Sequence, residues 1–126
     1  MTEGPQTKPP FELRYTTDAG ADIQGLDGSV RKQLRKVLEK KLAVDPEGYS
    51  LPLRGPLANY WKHEFGNHRV IYRIYAAHDV VVVCAVGVRK QGDVEDIYRQ
   101  LESAAQTGRL AGQMASVLKN VLPRKK

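Results

Sequence analysis

The chain has 126 residues, 41% hydrophobic and 27% charged, a balance that supports one globular domain with one core and excludes intrinsic disorder. The net charge of +6 suits a polyanionic or acidic partner and also suits a merely soluble small protein. A single cysteine, Cys84, excludes an intramolecular disulfide; with no apolar run near the ~20 residues of a membrane helix and a polar start, a soluble cytoplasmic protein with no membrane contact is expected.

Residues 1–10 hold three prolines and no apolar periodicity, which predicts a mobile arm. Phe11 to Tyr15 alternates apolar and polar residues and reads as a first strand. Asp18 is a candidate cap for a short helical stretch from Ala19 to Leu26. Ser29 to Leu42 is the clearest helix, with Ser29 as its expected N-cap. Val30, Leu34, Val37, Leu38 and Leu42 form one apolar stripe. Asp45-Pro46 ends the segment, because a residue before proline avoids helical angles. Arg31, Lys32, Arg35, Lys36, Lys40 and Lys41 lie mostly off the stripe, as expected of a solvated face rather than a phosphate-gripping one.

Glu47 to Asn59 reads as a loop rich in glycine and proline. Tyr60–Phe65 and His68–Tyr75 are strand-like and joined by the turn dipeptide Gly66-Asn67, so a hairpin is predicted. After a turn at Ala76 to Asp79, the unbroken apolar run Val80 to Val88 predicts a central strand covered on at least one face. Asp93 to Ala105 reads as helical, with Val94, Ile97, Tyr98 and Leu101 on one side. Gly108 breaks the pattern, and Arg109 to Leu122 carries a further stripe of Leu110, Met114, Val117, Leu118 and Val121. Residues 1–50 are electrically balanced, whereas residues 99–126 carry six basic side chains against one acidic. The excess charge and the candidate site are therefore separate matters.

Strand alternation places Lys62 and Glu64 on one face of their strand, opposite Trp61, His63 and Phe65. On the next strand Arg69, Ile71 and Arg73 share a face, and Arg89 follows the last strand. Converging Lys and Arg groups can hold a phosphate and stabilise the extra charge of its transition state. An exposed sheet face with ordinary solvating charges fits the same pattern, and the two readings stay open here. His63 falls on the aromatic face and is expected to be packed, whereas His68 adjoins the turn and would reach a substrate. Cys84, inside an apolar strand, is expected to be an inert buried thiol. The histidines, Cys84 and carboxylates show no metal-ligand spacing. There is no glycine-rich phosphate loop and no serine nucleophile motif.

The order of pieces is distinctive: a strand, a helical hairpin, the segment Leu51-Pro-Leu-Arg54-Gly, then Trp61-Lys62 followed by Gly66-Asn-His-Arg-Val-Ile-Tyr-Arg-Ile74, Val80 to Lys90, and Tyr98. It resembles the RelE/ParE superfamily of bacterial toxins from type II toxin–antitoxin pairs, over about Phe11 to Tyr98. The resemblance implies an α+β fold, with an N-terminal helical hairpin packed on a twisted, mainly antiparallel four-stranded sheet, plus C-terminal helices. It divides the chain into an arm over residues 1–10, a toxin domain over 11–105 and a helical extension with a basic tail over 106–126.

RelE-like members cut messenger RNA, usually in the ribosomal A site, using the RNA 2′-hydroxyl as nucleophile and no metal or cofactor. ParE-like members inhibit DNA gyrase instead, and a degenerate toxin acting only in antitoxin-bound repression is a further alternative. The resemblance implies that Lys62 is a general base or electrostatic support, that Arg69 holds the scissile phosphate, and that Arg89 contacts the same group. Tyr98 would stack on a base. Arg54, Arg73 and Lys90 are the expected RNA-binding residues. Glu64 stands where a second Lys or Arg is usual, and His68 where a Tyr is usual; proton-transfer roles would then pass to those two. The implied partners are a cognate antitoxin with an acidic wrapping segment, messenger RNA, the ribosome, and operator DNA through the antitoxin alone.

Overall fold

The computed structural model describes residues 10–88 and 97–119. Its axis is β5, Val80–Val88, whose first seven residues are buried. β1 (Glu12–Tyr15) runs parallel to β5 on one side, and β4 (His68–Tyr75) runs antiparallel on the other. β3 (Tyr60–Phe65) pairs with β4, and β2 (Leu51–Pro52) with β3, giving the order β1-β5-β4-β3-β2. The sheet thus has five strands where four were expected. Two residues show no alternation, and one of them is a proline, which an edge strand tolerates because the missing N–H faces outward.

α1 (Thr17–Gln24) and α2 (Gly28–Val37) pack on one face. The α2 stripe continues without a break through a wider π-helical turn, Leu38–Leu42, so Leu34, Val37, Leu38 and Leu42 are all buried. With Ala19, Val70, Tyr72, Val81, Val83 and Val86 they form the first core. Two expected caps are displaced. Thr16, not Asp18, caps α1, its hydroxyl accepting from the Ala19 N–H at 3.0 Å. Asp27, not Ser29, caps α2 and accepts from the Ser29 N–H at 3.1 Å. In both cases the side chain closest to the true end meets the unpaired N–H groups of the first turn.

α3 (Ile97–Gln106) and α4 (Arg109–Val117) cover the opposite face, linked through Gly108 at φ +83°. The segment 93–96, where a helix was expected to begin, and residues 120–122, where one was expected to end, lie outside the described residues, as does the arm at 1–9. Ile97, Leu101, Leu110 and Met114 close a second core over Leu57, Ile71, Val80, Val82, Cys84 and Ala85. β5 therefore serves both cores, and a bulge makes this possible. Ile71 pairs with Ala85 but Tyr72 with Val83, leaving Cys84 as the extra residue. Cys84 and Ala85 then both face the second core, and the alternation of the strand changes phase.

α4 is tied to the body at both ends. Arg109 makes a paired contact to Asp18, 2.6 and 3.0 Å, and Arg14 donates to the Val117 carbonyl at 2.9 Å. Gln113 accepts from the Asp18 N–H at 3.1 Å. Asp18, expected as a cap, is instead the anchor of the C-terminal helix.

Candidate functional site

The β3–β4 hairpin turns at Gly66, whose φ of +56° is a left-handed conformation that glycine adopts without strain. The turn sets the register: Phe65 opposite His68, Glu64 opposite Arg69, Lys62 opposite Ile71 and Tyr60 opposite Arg73. Lys62, Glu64 and Arg69 consequently stand on one face and meet. The Glu64 carboxylate is 3.3 Å from the Arg69 guanidinium and 3.8 Å from the Lys62 ammonium. The Lys62 ammonium also lies 5.9 Å from the centre of the Tyr98 ring, which α3 brings across from above. Lys62 and Arg69 are 26% and 15% exposed at the side chain, Glu64 51%. The cluster is a sheltered basic spot with an exposed acid at its mouth.

The other sequence-derived residues separate. Arg73 is two pleats from Arg69, about 13 Å along the strand. Its guanidinium sits 5.7 Å from the Tyr60 ring centre and 5.2 Å from that of Tyr75. Both phenols are pushed upward in pKa, chiefly by burial. Tyr60 and Tyr75 were not singled out from the sequence, although Tyr60 has the same strand parity as Lys62. Arg54 is exposed ahead of the 3₁₀ turn Gly55–Leu57, at the Tyr60 end of β3 rather than beside Arg69. Arg89 and Lys90 lie outside the described residues.

His68 is not brought to the cluster. Alternation turns it to the face opposite Arg69, where its ring stacks on Phe65 at 5.4 Å. His63 is buried on that same side, its Nδ1 2.7 Å from the Tyr49 carbonyl oxygen. Cys84 is buried in the second core, and burial pushes its thiol up to about 12, far from a thiolate at neutral pH.

On the other side of the sheet, α1, α2 and β1 border an open groove of about 720 Å³. Leu13, Ile23 and Leu34 supply apolar lining, with Arg31, Lys32 and Arg35 around it and one acid, Glu39.

The family model for the ParE toxin of the type II toxin–antitoxin system parDE matches residues 13–93. Toxin RelG of Mycobacterium tuberculosis is 31% identical over 91 residues, which cover 72% of this chain and 99% of the relative. The RelBE2 toxin–antitoxin complex of Mycobacterium tuberculosis matches with a TM-score of 0.61 and 30% identity, covering 64% of this chain and 99% of the matched chain. The isolated Escherichia coli RelE toxin matches with a TM-score of 0.55 and 25% identity, covering 74% and 96%. Sequence and fold agree that the chain belongs to the RelE/ParE superfamily, as a member of the ParE toxin family of type II toxin–antitoxin systems.

Proposed function

We propose that this toxin is an endoribonuclease that cuts messenger RNA at the ribosome and so inhibits translation. One observation carries the reading: Lys62 and Arg69, from adjacent strands, share a single carboxylate oxygen of Glu64. An anionic oxygen fits between them, and a backbone phosphate presents the same kind of oxygen. In the proposed reaction the ribose 2′-hydroxyl gives up its proton as its oxygen bonds to phosphorus, the bond to the 5′-oxygen breaks, and the leaving oxygen takes up a proton, so that one proton is lost and one gained. The products are a cyclic phosphate and a 5′-hydroxyl end. Arg69 and Lys62 stabilise the added charge on phosphorus, in a spot where partial burial strengthens the attraction. Tyr98, lying over Lys62, offers a ring on which a base stacks. Arg89, following directly on β5 in the sequence, would add a third cation.

In this reading a cognate antitoxin holds the activity off. Its acidic segment suits the groove beside Arg31, Lys32 and Arg35, where apolar lining and positive rim occur together. Operator DNA would be reached through that antitoxin.

Gyrase inhibition without catalysis is the second reading, favoured by the parDE description of the matching family model. Primer extension on translated messages after induction separates the two. The nuclease gives codon-positioned cuts that disappear in Arg69→Ala. Intact messages with gyrase-dependent DNA breaks would favour the second reading.

A further inference from the structure

We propose that Glu64 is a built-in competitor for the phosphate site: its carboxylate occupies the Lys62–Arg69 pair until the RNA backbone displaces it. The inference rests on the phosphate-binding reading above and adds how that site selects its ligand.

Three features support it. One Glu64 oxygen lies within 3.8 Å of both cations, so the carboxylate already sits where an anion is wanted. The acid is also the most exposed member, at 51%, while Arg69 is 15% exposed. Glu64 is therefore the partner that can swing into water, and Arg69 is the fixed receiver. Finally, the Arg69 fork is only partly used. Its Nε is buried without a hydrogen-bond partner among the described residues, while Nη2 meets Glu64. A guanidinium offers Nε and Nη2 side by side to two oxygens of one anion. The two non-bridging oxygens of a phosphodiester match that geometry better than a single carboxylate oxygen.

The consequence is a filter. With Glu64 in place the three side chains sum to one positive charge; without it they sum to two. A lone phosphate gains little by displacing a carboxylate that is tethered beside its own partners. A ribonucleic acid strand gains more, because other contacts along it hold the phosphate at the site while Glu64 moves away. The carboxylate so placed biases the site toward polyanions over mononucleotides and inorganic phosphate.

The test is binding of a short, uncleavable 2′-O-methyl single-stranded RNA to the full chain, read by fluorescence anisotropy at several salt concentrations. Glu64→Gln is expected to bind about fivefold tighter at low salt, from removal of one like charge some 4 Å away. Its salt dependence should be steeper by roughly 0.7 in log–log slope, since one more cation is free to release counterions. Glu64→Ala should move affinity in the same direction, and both gains should shrink in an Arg69→Ala background, where Lys62 alone is left for Glu64 to occupy. If Arg69→Ala weakens binding but Glu64→Gln leaves it unchanged or weaker, the competitor role is overturned and the phosphate site stands. If Arg69→Ala binds like the wild type, the site itself is overturned, and the competitor role with it.

Discussion

Arg69 and His68 are sequence neighbours with opposite fates. One side chain joins the basic cluster, and the other stacks on Phe65 across the sheet. Their substitutions should therefore separate activity from stability. Arg69→Lys keeps the charge but loses the fork, so message cleavage should fall at least tenfold with little change in melting temperature. His68→Ala should leave cleavage within about twofold while costing roughly 0.5–1.5 kcal/mol for the lost ring stack. Cleavage assays beside thermal melts check both, and strong loss of cleavage in folded His68→Ala would contradict the assignment. This division was legible in the sequence, because strand parity alone puts residues 68 and 69 on opposite faces. Nearness to the turn suggests a catalytic part for His68, but its parity turns the ring to the face opposite Arg69. The contact between Glu64 and Arg69 was legible too, since a two-residue turn at Gly66-Asn67 pairs Phe65 with His68 and therefore Glu64 with Arg69.

α4 illustrates what a sequence pattern leaves out at the scale of elements. Its apolar stripe announced a packed helix, but nothing local said that Asp18 would hold it. The Arg109 hydrogen bond holds the Asp18 carboxyl below its ordinary value of 3.8, against the opposing effect of burial. A depressed carboxylate contributes stability that is present above its unfolded value and lost as pH falls through the lower folded value. The window is therefore below about pH 4. Asp18→Asn should melt earlier than the wild type at pH 7 and exchange its α4 amides faster. The gap should narrow as the pH falls below about 4 and the Asp18 carboxylate takes up its proton, and narrow also in high salt, because the Arg109 side chain is largely exposed. A gap that does not narrow at all as the pH is taken from neutral into the acid range below about 4 would mean that the charge is not what anchors α4. The bulge in β5 was illegible for a different reason. Val80 to Val86 is apolar throughout, so the change of phase at Cys84 left no mark on the pattern. β2 was missed because its pairing comes from the neighbouring strand, not from any preference of Leu51-Pro52.

In the whole molecule, two helical layers sandwich one sheet, and the two faces carry different properties. The α1–α2 side closes the first core and leaves a basic-rimmed groove. The α3–α4 side closes the second core and shelters the basic cluster at its border. Burying side chains such as Leu101, Leu110 and Met114 stabilises this second layer by roughly 1.5–3 kcal/mol each. The same packing brings Tyr98 over Lys62, so stability and site geometry share one interface. The family match ends at residue 93, ahead of the described part of both helices; Tyr98 was among the expected site residues, and its position over Lys62 comes from this packing. In the proposed reaction Lys62 and Arg69 grip a phosphodiester while the adjacent 2′-hydroxyl attacks. That step is tested most directly with purified toxin, ribosomes and a message placed with a defined codon in the A site. Cleavage is expected within that codon, with a 5′-hydroxyl on the downstream fragment and no cut when the attacking nucleotide alone is replaced by its 2′-deoxy form. Cleavage that survives the deoxy substitution, or an intact message at every codon tested, would contradict it.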